Sequence, residues 1–190
     1  MNKLTLTTII ATVFITHVGH AASCTADEAI LTKALFNAIE TKNKPALDKA
    51  LADGASVHKT KEAVYSGQHT PLEFAARSLW SDGVRTLIAA GADVNEVTRA
   101  FTPLKYVVFT ITAYEADKKQ LADAEEILAL LLQNGAQIDT GSPMCGNPSL
   151  IDDLKARAKG LRHEATRKRY ETAYNLLTKL MNSPENQSAV

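Results

Sequence analysis

The chain is 190 residues long and carries 21 Lys or Arg against 21 Asp or Glu, for a formal net charge of zero. That balance excludes a binding mode driven by bulk positive charge, as nucleic acid demands, and two cysteines are too few for a disulfide-built scaffold. With 45% hydrophobic residues, the chain can bury the core of one domain.

Met1 to Ala22 holds one lysine, Lys3, then an apolar run from Leu4 to Val18 and small residues at Gly19, Ala21 and Ala22. This is the layout of a cleaved secretory signal peptide, residues 1–22. The run of about 15 residues is short for a membrane span, which needs roughly 20. Gly19 and Ala21 fit the small positions before a cut after Ala21. Ala22-Ser23-Cys24 also sets a cysteine where a lipoprotein anchor would attach, with Ala21 in place of the usual leucine. Export would leave the mature chain periplasmic or secreted, without a membrane span, and in an oxidising compartment where Cys24 and Cys145 could pair. Several helical layers of roughly 8–10 Å each separate them in the chain, which works against that bond unless their flanking segments reach toward each other.

Next come Asp27 to Thr41 and Pro45 to Ala52, two short amphipathic helices closed by Gly54-Ala55. A long connection, SVHKTKEAVYSGQ, leads to His69-Thr70-Pro71-Leu72. Thr70 suits the N-cap of a helix and Pro71 its first position, where no amide hydrogen is needed. Leu72, Ala75, Ala76 and Leu79 mark one apolar stripe and Val84, Leu87 and Ile88 a second, so two helices can close on each other before Gly91-Ala92 ends the pair. Phe101-Thr102-Pro103-Leu104 opens a third pair, ending at Gly135-Ala136. Leu150 to Lys159 and His163 to Met181 predict a last pair joined near Gly160, with an excess of Lys and Arg that reads first as the solvated face of a cap and second as a docking patch for an acidic partner.

The stretch from His69 to Asn95, with its Thr-Pro-Leu entry and its Gly-Ala-Asp closure, resembles an ankyrin repeat. The resemblance implies an all-α solenoid of about four helix-turn-helix units with connecting fingers, occupying roughly 27–58, 59–95, 96–139 and 140–182 of a domain spanning 23–182, ahead of a flexible tail at 183–190. The glycines at 54, 91 and 135 lie 37 and 44 residues apart, against about 33 in a standard unit. Thr70 to Gly91 spans 21 residues, as the family does, and Thr102 to Gly135 spans 33. The third unit is therefore enlarged by 12 residues, near Ala113 to Asp123, through longer helices or a projecting loop. The first unit lacks the Thr-Pro-Leu entry, as expected of a terminal repeat. Glu73 and Lys105 stand where the best-matched units carry histidine, and Leu79 stands where they carry the glycine between the helices.

No catalytic constellation stands out. The chain after the leader has His58, His69 and His163 with no metal-ligand spacing, and neither a phosphate loop nor a nucleophile elbow. Adjacent carboxylates at 125–126 and 152–153 diverge by about 100 degrees on a helix, so no enzyme, cofactor or metal is expected. Ankyrin proteins usually hold protein partners along the concave face made by finger tips and first helices. Carried over by position, and weighted toward aromatic and arginine anchors, this implies Tyr65, His69, Arg77, Trp80, Thr98, Arg99, Phe101, Phe109 and Tyr114 as partner-binding residues. Each aromatic can equally be core packing between layers. The expected function is that of a non-catalytic periplasmic docking module, such as an immunity or inhibitor protein against an envelope-targeted toxin. The alternatives are an ankyrin accessory of periplasmic oxidative-stress defence and a redox-active protein using Cys24 and Cys145.

Overall fold

The computed structural model describes residues 20–58, 61–63, 67–98, 101–138 and 149–184. The leader up to residue 19, Tyr65, Arg99, Cys145 and the end of the tail lie outside them, as does the side chain of Cys24, and with it the question of a Cys24–Cys145 disulfide. Among the described residues the chain is all-helical apart from one small hairpin. In order, the elements are α1 (His20–Glu40), α2 (Lys44–Ala52), β1 (Lys61–Ala63), β2 (Gly67–His69), α3 (Pro71–Arg77), α4 (Ser81–Ala89), α5 (Pro103–Ala113), α6 (Lys118–Gln133), α7 (Leu150–Gly160) and α8 (Glu164–Met181).

Five helix starts fall on side chains that satisfy free amides. Asn43 caps α2, Thr70 caps α3, Thr102 caps α5, Asp117 caps α6 and Ser149 caps α7. Pro71 and Pro103 sit directly after two of these caps. The ends of α2, α4 and α6 share one closure. Gly91 takes φ +90°, its amide donates to Ile88 O, and the Ala92 amide reaches back to Leu87 O. Only glycine adopts that backbone cheaply, and the same two bonds recur at Gly54-Ala55 and Gly135-Ala136.

The helices pack in pairs, α1 with α2, α3 with α4, α5 with α6 and α7 with α8. Across pairs, α1, α3 and α5 touch in succession, and so do α2, α4 and α6, giving two layers of helices. Leu35, Leu47, Leu72, Leu87, Leu104, Leu128 and Leu131 fill the space between them and are wholly or almost wholly buried. Each such side chain contributes about 2 kcal/mol of burial. Asn95 ties one pair to the next: its side chain donates to Gly135 O at 2.9 Å and accepts from the Gln137 amide at 2.8 Å.

The third pair is enlarged through its helices. α5 has 11 residues against 7 in α3, and α6 has 16 against 9 in α4, with only a short link from Ala113 to Lys118. The fourth pair breaks the alternation. α8, the second helix of that pair, packs on both α5 and α6, while α7 packs chiefly on α8. Arg169 of α8 donates to Ala113 O at 3.0 Å, so the lengthened α5 is where the last pair is received.

In the connections, β1 and β2 pair antiparallel in the register Lys61 with His69, Glu62 with Gln68 and Ala63 with Gly67. This hairpin is the long finger ahead of Thr70. The next finger is shorter and closes on a single bridge between Thr98 and Phe101.

Candidate partner-docking surface

The surface of interest lies where the second finger meets α3 and α5. Asp93 Oδ1 accepts from the Asn95 amide at 2.8 Å and turns the chain out of α4. Thr98 and Phe101 then exchange backbone bonds at 3.2 and 3.1 Å, forming a tight tip. The base of this finger is held from below by Glu73.

Glu73 has a double role. Within α3 it completes a capping box, its amide donating to Thr70 Oγ1 at 3.2 Å while its carboxylate accepts from the Thr70 amide at 3.1 Å. Across the layer the same carboxylate accepts from the Thr98 amide at 3.0 Å and from the Thr98 hydroxyl. Its residue is 0% exposed. Loss of water raises its pKa from 4.5 to about 7, against the pull of the hydrogen bonds from Thr98 and Thr70, and nearby Glu96 adds to the rise. His69 Nδ1 stands 3.6 Å from the carboxylate. A hydroxyl, a histidine and a carboxylate are thus close together, but the hydroxyl donates to the carboxylate and not to the ring. The carboxylate thus gathers donors from its own helix start and from the following finger, which is the geometry of a clamp.

Above the clamp runs a chain of aromatic rings. His69 meets Tyr106 edge-on at 5.3 Å, Tyr106 lies 5.1 Å from Phe101, and Phe101 meets Phe109 edge-on at 5.9 Å. Burial falls along it: His69 and Tyr106 are buried, Phe101 is half-buried and Phe109 is 45% exposed. Tyr114, which follows the last turn of α5, is 61% exposed. Thr110 Oγ1 donates to Tyr106 O at 2.9 Å and approaches Arg77 O at 3.4 Å, bringing the exposed end of α3 beside this face.

The expected contact residues therefore divide. Phe109, Tyr114 and Arg77 present themselves to solvent, and Thr98 and Phe101 are half-buried at the finger. Trp80 and His69 do not belong to the exposed set. Trp80 is 7% exposed, with its ring over Gly83 one turn on in the same chain segment, where a side chain would collide with it. His69 is enclosed against Tyr106 and Glu73. Tyr65 and Arg99 lie outside the described residues. Two features were missed from sequence: the exposed Val97 on the finger, and the reach of Glu73 to Thr98. The available signal for the second was a carboxylate three residues past Thr70, directly after the Thr-Pro-Leu entry.

A cleft of about 270 Å³ opens between the lengthened third pair and α8, lined by Ile111, Glu115, Ala116, Leu121, Lys168 and Arg169 among others. Arg169 is engaged there with Ala113 O and Thr166 Oγ1, and Lys168 with Glu164. Among the described residues no group of three or more His, Cys, Asp or Glu could hold a metal ion, and no helix is long and apolar enough to cross a membrane. No protein-family model matches the chain, and no curated protein matches it significantly.

Proposed function

We propose that this chain is an ankyrin-type repeat protein that docks a protein partner, without turnover, on the face formed by the second finger and the exposed sides of α3 and α5. The observation that carries the reading is the ring chain ending in exposed Phe109, with Tyr114 and Arg77 alongside. Large rings and arginine held rigidly on a helix lose little freedom on binding and are the favoured anchors of interfaces. The thrice-repeated glycine closure and the Thr-Pro entries of α3 and α5 support the ankyrin assignment. The leader-like segment at Met1 to Ala22 supports an encounter in the periplasm or outside the cell, with an effector or envelope protein as the partner.

The test begins with mature protein as bait in an envelope extract, followed by titration of the purified partner. Phe109→Ala and Tyr114→Ala are each expected to weaken the complex by roughly tenfold or more, with the fold unchanged by circular dichroism. Arg85→Ala on exposed α4 serves as the control. Equal affinity for all three variants and the parent would place the docking face elsewhere.

A further inference from the structure

We propose that Glu73 is the positioning residue of the docking finger, and that the proton on its carboxyl group sets how firmly Thr98 and Phe101 are held beside α5. The inference rests on the docking reading for its use, but its measurement needs no partner.

The geometry makes this carboxylate the joint between two repeats. It receives three donors, the Thr70 amide from its own helix start and the amide and hydroxyl of Thr98 from the following finger. The Thr98 amide donates both to Glu73 Oε1 and to Phe101 O, so one N–H joins the carboxylate to the bridge between Thr98 and Phe101. Phe101 in turn meets Tyr106 at a tilt and Phe109 edge-on. Displacing Thr98 would thus move the ring that backs the exposed Phe109.

An ionised carboxylate is acceptor-only and has lone pairs for all three donors, while a protonated one must place its own hydrogen and retains fewer acceptor sites. Bonds to the anion are also the stronger ones. Burial sets the proton's affinity near neutrality, so both states are populated near pH 7.

Among the described residues, the other ionisable groups around the carboxyl are these. His69 Nδ1 is 3.6 Å away on β2, and Glu96 lies on the finger itself. On α5, which packs on α3, Lys105 is buried and its pKa lowered by burial. Glu40 of α1, Asp82 and Arg85 of α4 and Arg77 of α3 are exposed.

The experiment is amide hydrogen exchange of the mature protein between pH 6 and pH 8, corrected for intrinsic rates. The protection of Thr98 and Phe101 is expressed relative to the core amide of Val107. In the parent this ratio is expected to rise roughly fivefold with pH, the difference between a neutral and a charge-assisted bond. It is expected to stay flat and low in Glu73→Gln, and to keep its rise in His69→Gln. A flat ratio in the parent, or a rise that survives Glu73→Gln or vanishes in His69→Gln, overturns the proposal. Should Glu73→Gln fail to fold, the carbon-13 shift of the Glu73 carboxyl in the parent decides. Its titration midpoint must coincide with that of finger protection, and separate midpoints overturn the proposal. Unchanged partner affinity in Phe109→Ala would instead count against the docking face and leave the clamp standing.

Discussion

Thr98 gives both its backbone amide and its hydroxyl to the carboxylate of Glu73, 25 residues earlier in the chain. Glu73 is 0% exposed, so a charge on this carboxyl group carries the cost of burial. Cohesion between the second and third helix pairs is therefore tied to a proton.

The first prediction concerns global stability. The folded-state pKa of Glu73 is raised from 4.5 to about 7, so the folded protein holds this proton more tightly than the unfolded chain does. The resulting stability is fully present below the unfolded value and is lost as pH rises through about 7. Relative to Glu73→Gln, the parent should lose roughly 2 to 3 kcal/mol between pH 5 and pH 8. Urea unfolding of both proteins at several pH values measures it. A constant gap between them would mean that burial does not penalise the charged form. The sign is opposite to that of the finger clamp: deprotonation tightens the local bonds while weakening the whole.

The second prediction concerns Trp80. A β-carbon built on Gly83 would lie 2.1 Å from Trp80 Cε3, and the ring is itself buried with no free end to move. Gly83→Ala should therefore destabilise the protein by about 1 to 3 kcal/mol, although alanine favours a helix by nearly 1 kcal/mol. Trp80→Leu combined with Gly83→Ala should be less damaging than the sum of the two single changes, because the collision is removed. Strict additivity in denaturant midpoints would count against the ring's placement.

Much of this architecture was legible because its signals are local. Thr70, Pro71 and Gly91 mark the ends of α3 and α4 through the chemistry of free amides and left-handed backbone, and the helices run from Pro71 to Arg77 and Ser81 to Ala89. The 33 residues from Thr102 to Gly135 exposed the longer third pair, which the structure resolves as lengthened helices. The misplaced residues depend on neighbours that spacing does not reveal. Trp80 resembled an exposed anchor because its partner is the absence of a side chain at Gly83. His69 is enclosed by Tyr106, 37 positions later. The packing of α8 rather than α7 on α5 follows from the extra turn of α5 and the reach of Arg169, which spacing along the chain does not reveal.

The third prediction contrasts two turns. Lys42 and Leu79, each between the two helices of a pair, both take the left-handed backbone, with φ of +50° and +48°. Lys42 is exposed and its ammonium makes one long bond, 3.3 Å to Leu79 O. Lys42→Gly should relieve the backbone and stabilise by about 0.5 kcal/mol. Leu79 is buried, so Leu79→Gly gains the same relief but forfeits its packing, for a net loss of about 1 to 3 kcal/mol. Urea midpoints at unchanged slope check both. Equal signs would mean that backbone conformation or packing alone governs the two turns.

The fourth prediction separates the two helices of the last pair. Leu154 of α7 and Leu177 of α8 are both almost wholly buried, so area alone predicts similar losses, in the range of about 2 to 5 kcal/mol for truncation to alanine. Their positions differ, since α8 packs on α5 and α6 while α7 leans chiefly on α8. Leu177→Ala should therefore weaken the entire cooperative unit, lowering amide protection in α5 and α6 together with α8. Leu154→Ala should let α7 open by itself, with protection in α3 to α6 largely kept. A chain ending at Ile138 takes the argument to its limit: it strips α8 from the apolar sides of α5 and α6, and the expected outcome is aggregation in sedimentation velocity. A monomeric, cooperatively unfolding fragment would show that the three preceding pairs need no cover at that end.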